Sequence, residues 1–282
     1  MDSLPSPVKE LSDARMADAG LRLLVKRDDL IHPEMPGNKW RKLKYNLAFA
    51  RSSGATTLLT FGGAYSNHLG ATAAAGAYFG FGTIGVVRGE EHLPLNPHLR
   101  AAVEHGMRLT YMDRKTYREK TRATVIDALH CEFGQFYLLP EGGSNALAVR
   151  GCAELPAEIE EDFDVICCAC GTGGTLAGIA AGLPPGRRAL GFSVLKGGQF
   201  LDAAVRELQS GDSGNWRIET EFHFGGFAKR TAELDGFIDD FERQHGIRLE
   251  WVYEAKMMYG IFALAQRGEC KPGTTIVAVI NA

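Results

Sequence analysis

The chain has 282 residues, enough for two lobes with separate cores. It is 45% hydrophobic and 23% charged, with a formal net charge of −3, so there is no basic surplus to point toward nucleic acid. No apolar run approaches the length of a membrane span, and the opening MDSLPSPVKELSDARMADAG lacks the apolar core of a secretory signal. A cytoplasmic protein without a membrane or nucleic-acid partner is therefore expected, and six irregularly spaced cysteines suit a reducing compartment.

In chain order, short apolar runs predict strands at 21–25, 56–61, 83–87, 109–112, 136–139, 164–169, 190–195 and 275–280. Helices are predicted at 39–52, 67–79, 97–105, 117–133, 145–160, 174–182, 199–209, 231–245 and 256–267. This alternation argues for an α/β fold with helices on both faces of parallel sheets. GDSGNW, 211–216, reads as a surface loop.

The first motif, MPGNKWRKLKY (35–45), packs four cations between Lys39 and Lys44. Asn38 is a candidate N-cap. Lys39, Leu43, Leu47 and Ala50 share a stripe at helical spacing, while Arg41 and Lys44 fall off it and are expected in solvent. An ammonium that begins an apolar face either snorkels or has a lowered pKa and reacts with carbonyls. The second motif, TFGGAYSNHLGATAAA (60–75), runs a strand into Gly62 and Gly63, then opens an alanine-rich helix at Ser66, Asn67 and His68. Exposed amides at such a start favour a carboxylate, although Ser66 or Asn67 also serves as a plain cap.

The third motif is CACGTGGTLAG (168–178), where a strand breaks into Gly171, Thr172, Gly173, Gly174 and Thr175 before a helix. Such a turn offers amides and hydroxyls to a phosphate, and it matches neither a P-loop nor a dinucleotide fingerprint. Pyridoxal 5′-phosphate carries both an aldehyde for a lysine and a phosphate for a glycine loop. Cys167, Cys168 and Cys170 read as part of a buried strand rather than half a metal site, and His92 and His98 share no helix face, so no metal is expected. In LEWVYEAKMMYG (249–260), Tyr253 and Glu254 end a strand-like run, and a carboxylate there would keep a pyridine nitrogen protonated.

With VKRDDL (25–30), GNKWRKLKY (37–45), GGAYSNH (62–68), EGGSN (141–145), CGTGGTLAG (170–178) and VYEAK (252–256), the chain resembles the 1-aminocyclopropane-1-carboxylate deaminase / D-cysteine desulfhydrase family of fold-type II pyridoxal-phosphate enzymes. The resemblance implies a two-lobed fold, with a smaller lobe at 51–139 inserted into a larger one of 1–50 and 140–282, and a homodimer. It implies that Lys39 joins the cofactor aldehyde and that Asn67 lies against the cofactor ring. Ser66 and the amides of Asn67 and His68 would hold a small amino-acid substrate. Gly171, Thr172, Gly173, Gly174 and Thr175 would bind the phosphate, Glu254 would face the pyridine nitrogen, and Tyr253 would act on the substrate.

The resemblance implies either of two reactions. D-cysteine would give pyruvate, sulfide and ammonia; aminocyclopropane carboxylate would give 2-oxobutanoate and ammonia. His68 resembles the desulfhydrase branch, and Glu254 the deaminase branch. Phe227, in HFGGFAK (223–229), stands where the family supplies a tyrosine, which disfavours ring opening. Asn281 takes the place of a family histidine. The desulfhydrase is favoured; the deaminase, another fold-type II lyase or racemase, and a cofactor-binding protein without useful catalysis are the alternatives.

Overall fold

The computed structural model describes residues 4–209 and 213–281. In chain order the first half contains β1 (Val8–Leu11), α1 (Ala14–Asp18), β2 (Arg22–Arg27), α2 (Asn38–Ser52), β3 (Thr57–Gly62), α3 (Asn67–Phe79), β4 (Gly82–Arg88), α4 (Pro97–Glu104), β5 (Arg108–Met112), α5 (Arg114–Arg118), α6 (Ala123–Phe133) and β6 (Tyr137–Leu139). The second half contains α7 (Ala146–Cys152), β7 (Val165–Cys170), α8 (Gly174–Gly182), β8 (Arg188–Ser193), α9 (Leu201–Gln209), β9 (Trp216–Glu219), α10 (Ala232–His245), α11 (Glu254–Gln266) and β10 (Thr275–Ile280).

Two sheets form, ordered β1-β2-β10-β7-β8-β9 and β5-β4-β3-β6. Among the described residues only β1 runs antiparallel to its neighbour, and every other pairing is parallel. Parallel strands covered on both faces need continuous apolar runs, and β7 and β10 supply them as VICCAC and TIVAVI. One face of the larger sheet packs on α11 and α10 through Phe192, Met258 and Ile261, and the other on α8 and α9 through Ile166, Leu176 and Val205. Beyond the C-terminal ends of β3 and β7, His68 and Thr172 meet at residues 142–144, and open parallel sheets place their ligands in the cleft at such strand ends.

Sequence periodicity misses the short elements. Edge strand β1 is only four residues long, with one buried residue, Leu11, and exposed charge at Lys9 and Glu10. The predicted helix 117–133 is broken because Asp113 caps a first short helix and Arg122 starts another. Helix 145–160 ends at Cys152 and gives way to a 3-10 turn, Leu155–Glu158, with a proline at its start. Of the expected loop 211–216, residues 211 and 212 lie outside the described residues, and Trp216 opens β9. LEWVY is not a strand: the Glu250 carboxylate accepts the amides of Val252 and Tyr253 at 2.8 and 2.9 Å, making a turn, and α11 starts two residues earlier than expected, at Glu254. Cys167, Cys168 and Cys170 are buried in β7, as read from the sequence.

The expectation for Arg41 is overturned. Its side chain is fully buried, because α7 crosses α2 so closely that a Cβ on Gly151 would lie 1.9 Å from the Arg41 carbonyl oxygen. The guanidinium makes paired bonds to Asp28 (2.6 and 2.9 Å) and Glu158 (2.7 and 2.8 Å). Lys26 adds an ion pair to Glu158 at 3.0 Å, and Ser6 donates to Asp28 at 2.6 Å. Lys44 is partly buried and paired with Glu154. Arg41→Met leaves Asp28 buried without its cation and is expected to lower unfolding free energy by about 3 kcal/mol or more. A urea midpoint near that of the wild type would contradict this role.

Candidate active site

The site begins at the N-terminus of α2. Gly37, at φ 60°, caps the helix, and Asn38 is its first residue rather than its cap. Only glycine fits at 37, since a Cβ would come within 2.5 Å of the Asn281 Cα. The Asn38 amide donates to Asn281 Oδ1 at 2.7 Å, and its side-chain NH₂ donates to Thr175 Oγ1 at 2.9 Å. The Asn38 side-chain oxygen, Oδ1, accepts from Lys39 Nζ at 2.5 Å. Leu43, Leu47 and Ala50 are buried behind Lys39, as the stripe predicts.

Burial pushes the Lys39 ammonium down to about 8, and Lys42 repels it further; Glu254 and Glu250 act in the opposite direction. Lys39 Nζ stands 6.0 Å from the Tyr253 ring centroid. Tyr253 precedes α11, and its ring edge covers Gly171, where a Cβ would meet Tyr253 Cε1 at 3.2 Å. Burial raises the Tyr253 phenol well above its ordinary value. Glu254 is 2% exposed; its Oε1 accepts the Asn281 amide at 3.3 Å, while its buried Oε2 has no partner among the described residues. Burial, reinforced by Glu250, pushes the Glu254 carboxyl up to about 8.

Gly171, Thr172 and Gly173 turn β7 into α8. Gly173 sits at φ 79° against Val205, and α8 has no side-chain cap, so its first amides lack intrahelical acceptors. Gly174 touches Ser144 so closely that a Cβ would lie 2.4 Å from the serine oxygen. Thr175 is buried, and Thr172 Oγ1 lies 2.7 Å from Ser144 Oγ. Lys42, which the sequence reading left in the basic cluster, is buried here. It donates to Gly142 O at 3.0 Å and Ser144 Oγ at 3.4 Å, and no carboxylate pairs with it among the described residues. Its three-residue spacing from Lys39 on a helix was the signal available for it.

Across the cleft, β3 ends at Gly62, and Ser66 precedes α3 with its hydroxyl making no cap bond. Asn67 and His68 open that helix, so their amides belong to the turn without intrahelical acceptors. The His68 ring is 2% exposed and packs on Thr60 and Gly143. Thr60 donates its hydroxyl to Leu139 O at 3.0 Å, so His68 Nε2 is the donor to Thr60 Oγ1 at 3.0 Å. Phe227 stands edge to face with Tyr253, with centroids 6.0 Å apart.

These residues fit pyridoxal 5′-phosphate. Lys39 offers an amine to the aldehyde. The glycine turn, the open end of α8 and the unpaired Lys42 cation offer a place for the phosphate. Glu254 Oε2, buried without a partner among the described residues, is an acid that a ring nitrogen would satisfy. Residues 4–282 match the family model described as pyridoxal-phosphate dependent enzyme, and the chain belongs to that family. A Pyrococcus horikoshii protein, provisionally named a 1-aminocyclopropane-1-carboxylate deaminase, is 32% identical over 268 residues, covering 89% of this chain and 82% of its own. The mitochondrial bifunctional D-cysteine desulfhydrase/1-aminocyclopropane-1-carboxylate deaminase of Arabidopsis thaliana is 30% identical over 303 residues, covering 98% and 75%. The crystal structure of an ACC deaminase homologue superposes with a TM-score of 0.84 at 29% identity, covering 98% of this chain and 89% of that one. The fold is thus the two-lobed α/β fold of fold-type II enzymes. Among the described residues no helix is long and apolar enough to cross a membrane.

Burial, with Lys42 and Lys39 nearby, pushes the His68 imidazole down to about 3 from 6.5. Between those values the unfolded chain binds a proton that the folded chain refuses. Stability present above pH 6.5 is therefore lost as pH falls toward 3. Urea midpoints of the wild type are expected to drop more steeply from about pH 7 to pH 5 than those of His68→Gln. Parallel slopes would contradict the neutral, buried imidazole.

Proposed function

We propose that the protein is a pyridoxal-phosphate dependent deaminating lyase, acting on D-cysteine to give pyruvate, sulfide and ammonia. The observation that carries this reading is the convergence of Lys39, the orphaned Glu254 oxygen and the Gly171–Thr175 turn on one cleft. When bound, pyridoxal phosphate supplies an aldehyde for the substrate amine and a ring that takes up the electron pair released at the substrate α-carbon.

The residues around it divide the remaining work. Gly171, Thr172, Gly173, Gly174 and Thr175, with Lys42, would hold the phosphate. Asn67 would serve the ring, and Glu254 would keep a proton at its nitrogen. Ser66 and the amides of Asn67 and His68 hold the substrate carboxylate. Lys39, with an amine near pKa 8, moves the α-proton, and Tyr253 assists departure of the β-substituent. Phe227 beside Tyr253 leaves one aromatic hydroxyl in that corner, which supports thiol elimination over ring opening.

Aminocyclopropane carboxylate deamination is the second reading, supported by the acid at 254 and by the relatives' names. The same proposal divides the chain into lobes 51–139 and 1–50 with 140–282; the four-stranded sheet, drawn wholly from β3 to β6, supports it. It takes the protein to be a cytoplasmic homodimer. Six unpaired cysteines support the reducing compartment, and the dimer rests on the resemblance alone.

Purified protein is expected to be yellow, and Lys39→Ala to lose that colour together with turnover, by about 10³-fold or more. D-cysteine is expected to release sulfide and pyruvate. 2-Oxobutanoate from aminocyclopropane carboxylate, with no sulfide from D-cysteine, would favour the second reading. A protein that stays colourless with added pyridoxal phosphate would sink both.

A further inference from the structure

HFGGFAK, 223–229, connects β9 to α10 and places Phe227 at the cleft. It contains Phe224 (φ 50°) and Ala228 (φ 51°), the non-glycine residues with left-handed φ among the described residues. Gly225 (φ 93°) and Gly226 (φ 114°) lie between Phe224 and Phe227. A side-chain-bearing residue disfavours that conformation, so the loop needs restraint from its surroundings. Part of it comes from Phe224, edge to face with Tyr259 at 4.8 Å.

The Gly225 and Gly226 amides add bonds to His223 Nδ1 and His223 O, each at 3.0 Å, and a buried cation adds another from outside the loop. Lys256 lies on α11, two residues beyond Glu254, and is 0% exposed. Its Nζ donates to Gly226 O at 2.7 Å, and the same carbonyl accepts the Lys229 amide at 3.1 Å. No carboxylate lies within ion-pair range of Lys256 among the described residues; burial pushes its ammonium down to about 8, and Glu250 acts the other way. A buried ammonium facing a neutral acceptor is a poor choice for stability, because a methionine would fill similar space without desolvation. Its placement makes sense for what the carbonyl positions.

We propose that Lys256 is a positioning residue, whose bond to the Gly226 carbonyl holds loop 223–229 so that Phe227 stands against Tyr253 as a wall of the substrate site. The inference rests on the substrate reading above. The lysine acts through the loop and not on the cofactor, so its effects fall on substrate binding.

The test uses holoprotein of the wild type, Lys256→Met, Phe227→Ala and the double variant. Lys256→Met is expected to keep the cofactor absorbance and to speed amide hydrogen exchange across 223–229 by about tenfold. It is also expected to raise KM for D-cysteine about tenfold, with kcat within about threefold, as loss of a charged hydrogen bond allows. In the Phe227→Ala background the same substitution is expected to change KM by less than about twofold, because coupled residues are not additive. Unchanged exchange and KM in Lys256→Met, or a full tenfold effect repeated in the Phe227→Ala background, would overturn the proposal. Lys256→Gln, which keeps a donor, is expected to fall between wild type and methionine. If neither variant folds, the lysine is structural and the proposal fails. A wild type that turns over no amino acid removes the substrate reading, while the exchange measurement still decides whether Lys256 holds the loop.

Discussion

Asn38 joins the segments from which the site is built. Its backbone amide ties α2 to Asn281 at the end of β10, its side-chain NH₂ reaches Thr175 on α8, and its side-chain Oδ1 takes a bond from Lys39. Asn281 in turn donates its own amide to Glu254 on α11. The lysine, the glycine turn and the acid are therefore held by one connected set of hydrogen bonds. Such a set fixes reacting groups before a ligand arrives, which is where much of an enzyme's advantage originates.

Three cations on α2 are distinguished by their partners. Arg41 has two carboxylates and stays charged in a structural network. Lys42 has a carbonyl and a serine hydroxyl, which leaves its charge available to an anion at the glycine turn. Lys39 is half-buried and faces the cleft, with its charge disfavoured by burial and by Lys42. Three neighbouring cations thus differ through burial and pairing, neither of which is a property of the residue type. Of the three, Lys39 is the one left partly open, with burial and Lys42 working against its charge and Glu254 and Glu250 working for it.

Much of the frame was legible in the sequence. Continuous apolar runs located the central strands, and glycine turns after them located the cleft, because buried parallel strands and sharp strand-to-helix turns restrict residue choice strongly. The Lys39 stripe followed from helical period alone. Arg41 was misread because period places a residue on a face but does not say how many neighbours crowd that helix; α7 buries a second face of α2 at Gly151. Lys42, Asn38 and Asn281 act through contacts across up to 243 positions of sequence, which spacing does not encode. The turn before Tyr253 depends on the Glu250 carboxylate capturing two amides, so an apolar LEWVY run looked like a strand.

The most direct measurement is to reduce the holoprotein with borohydride, digest it and locate the pyridoxyl group by mass spectrometry. The account predicts the label on Lys39, with Lys42 and Lys256 unmodified. A label on Lys42, or a pyridoxal phosphate released intact without covalent trapping, would contradict the assignment on which the site is built.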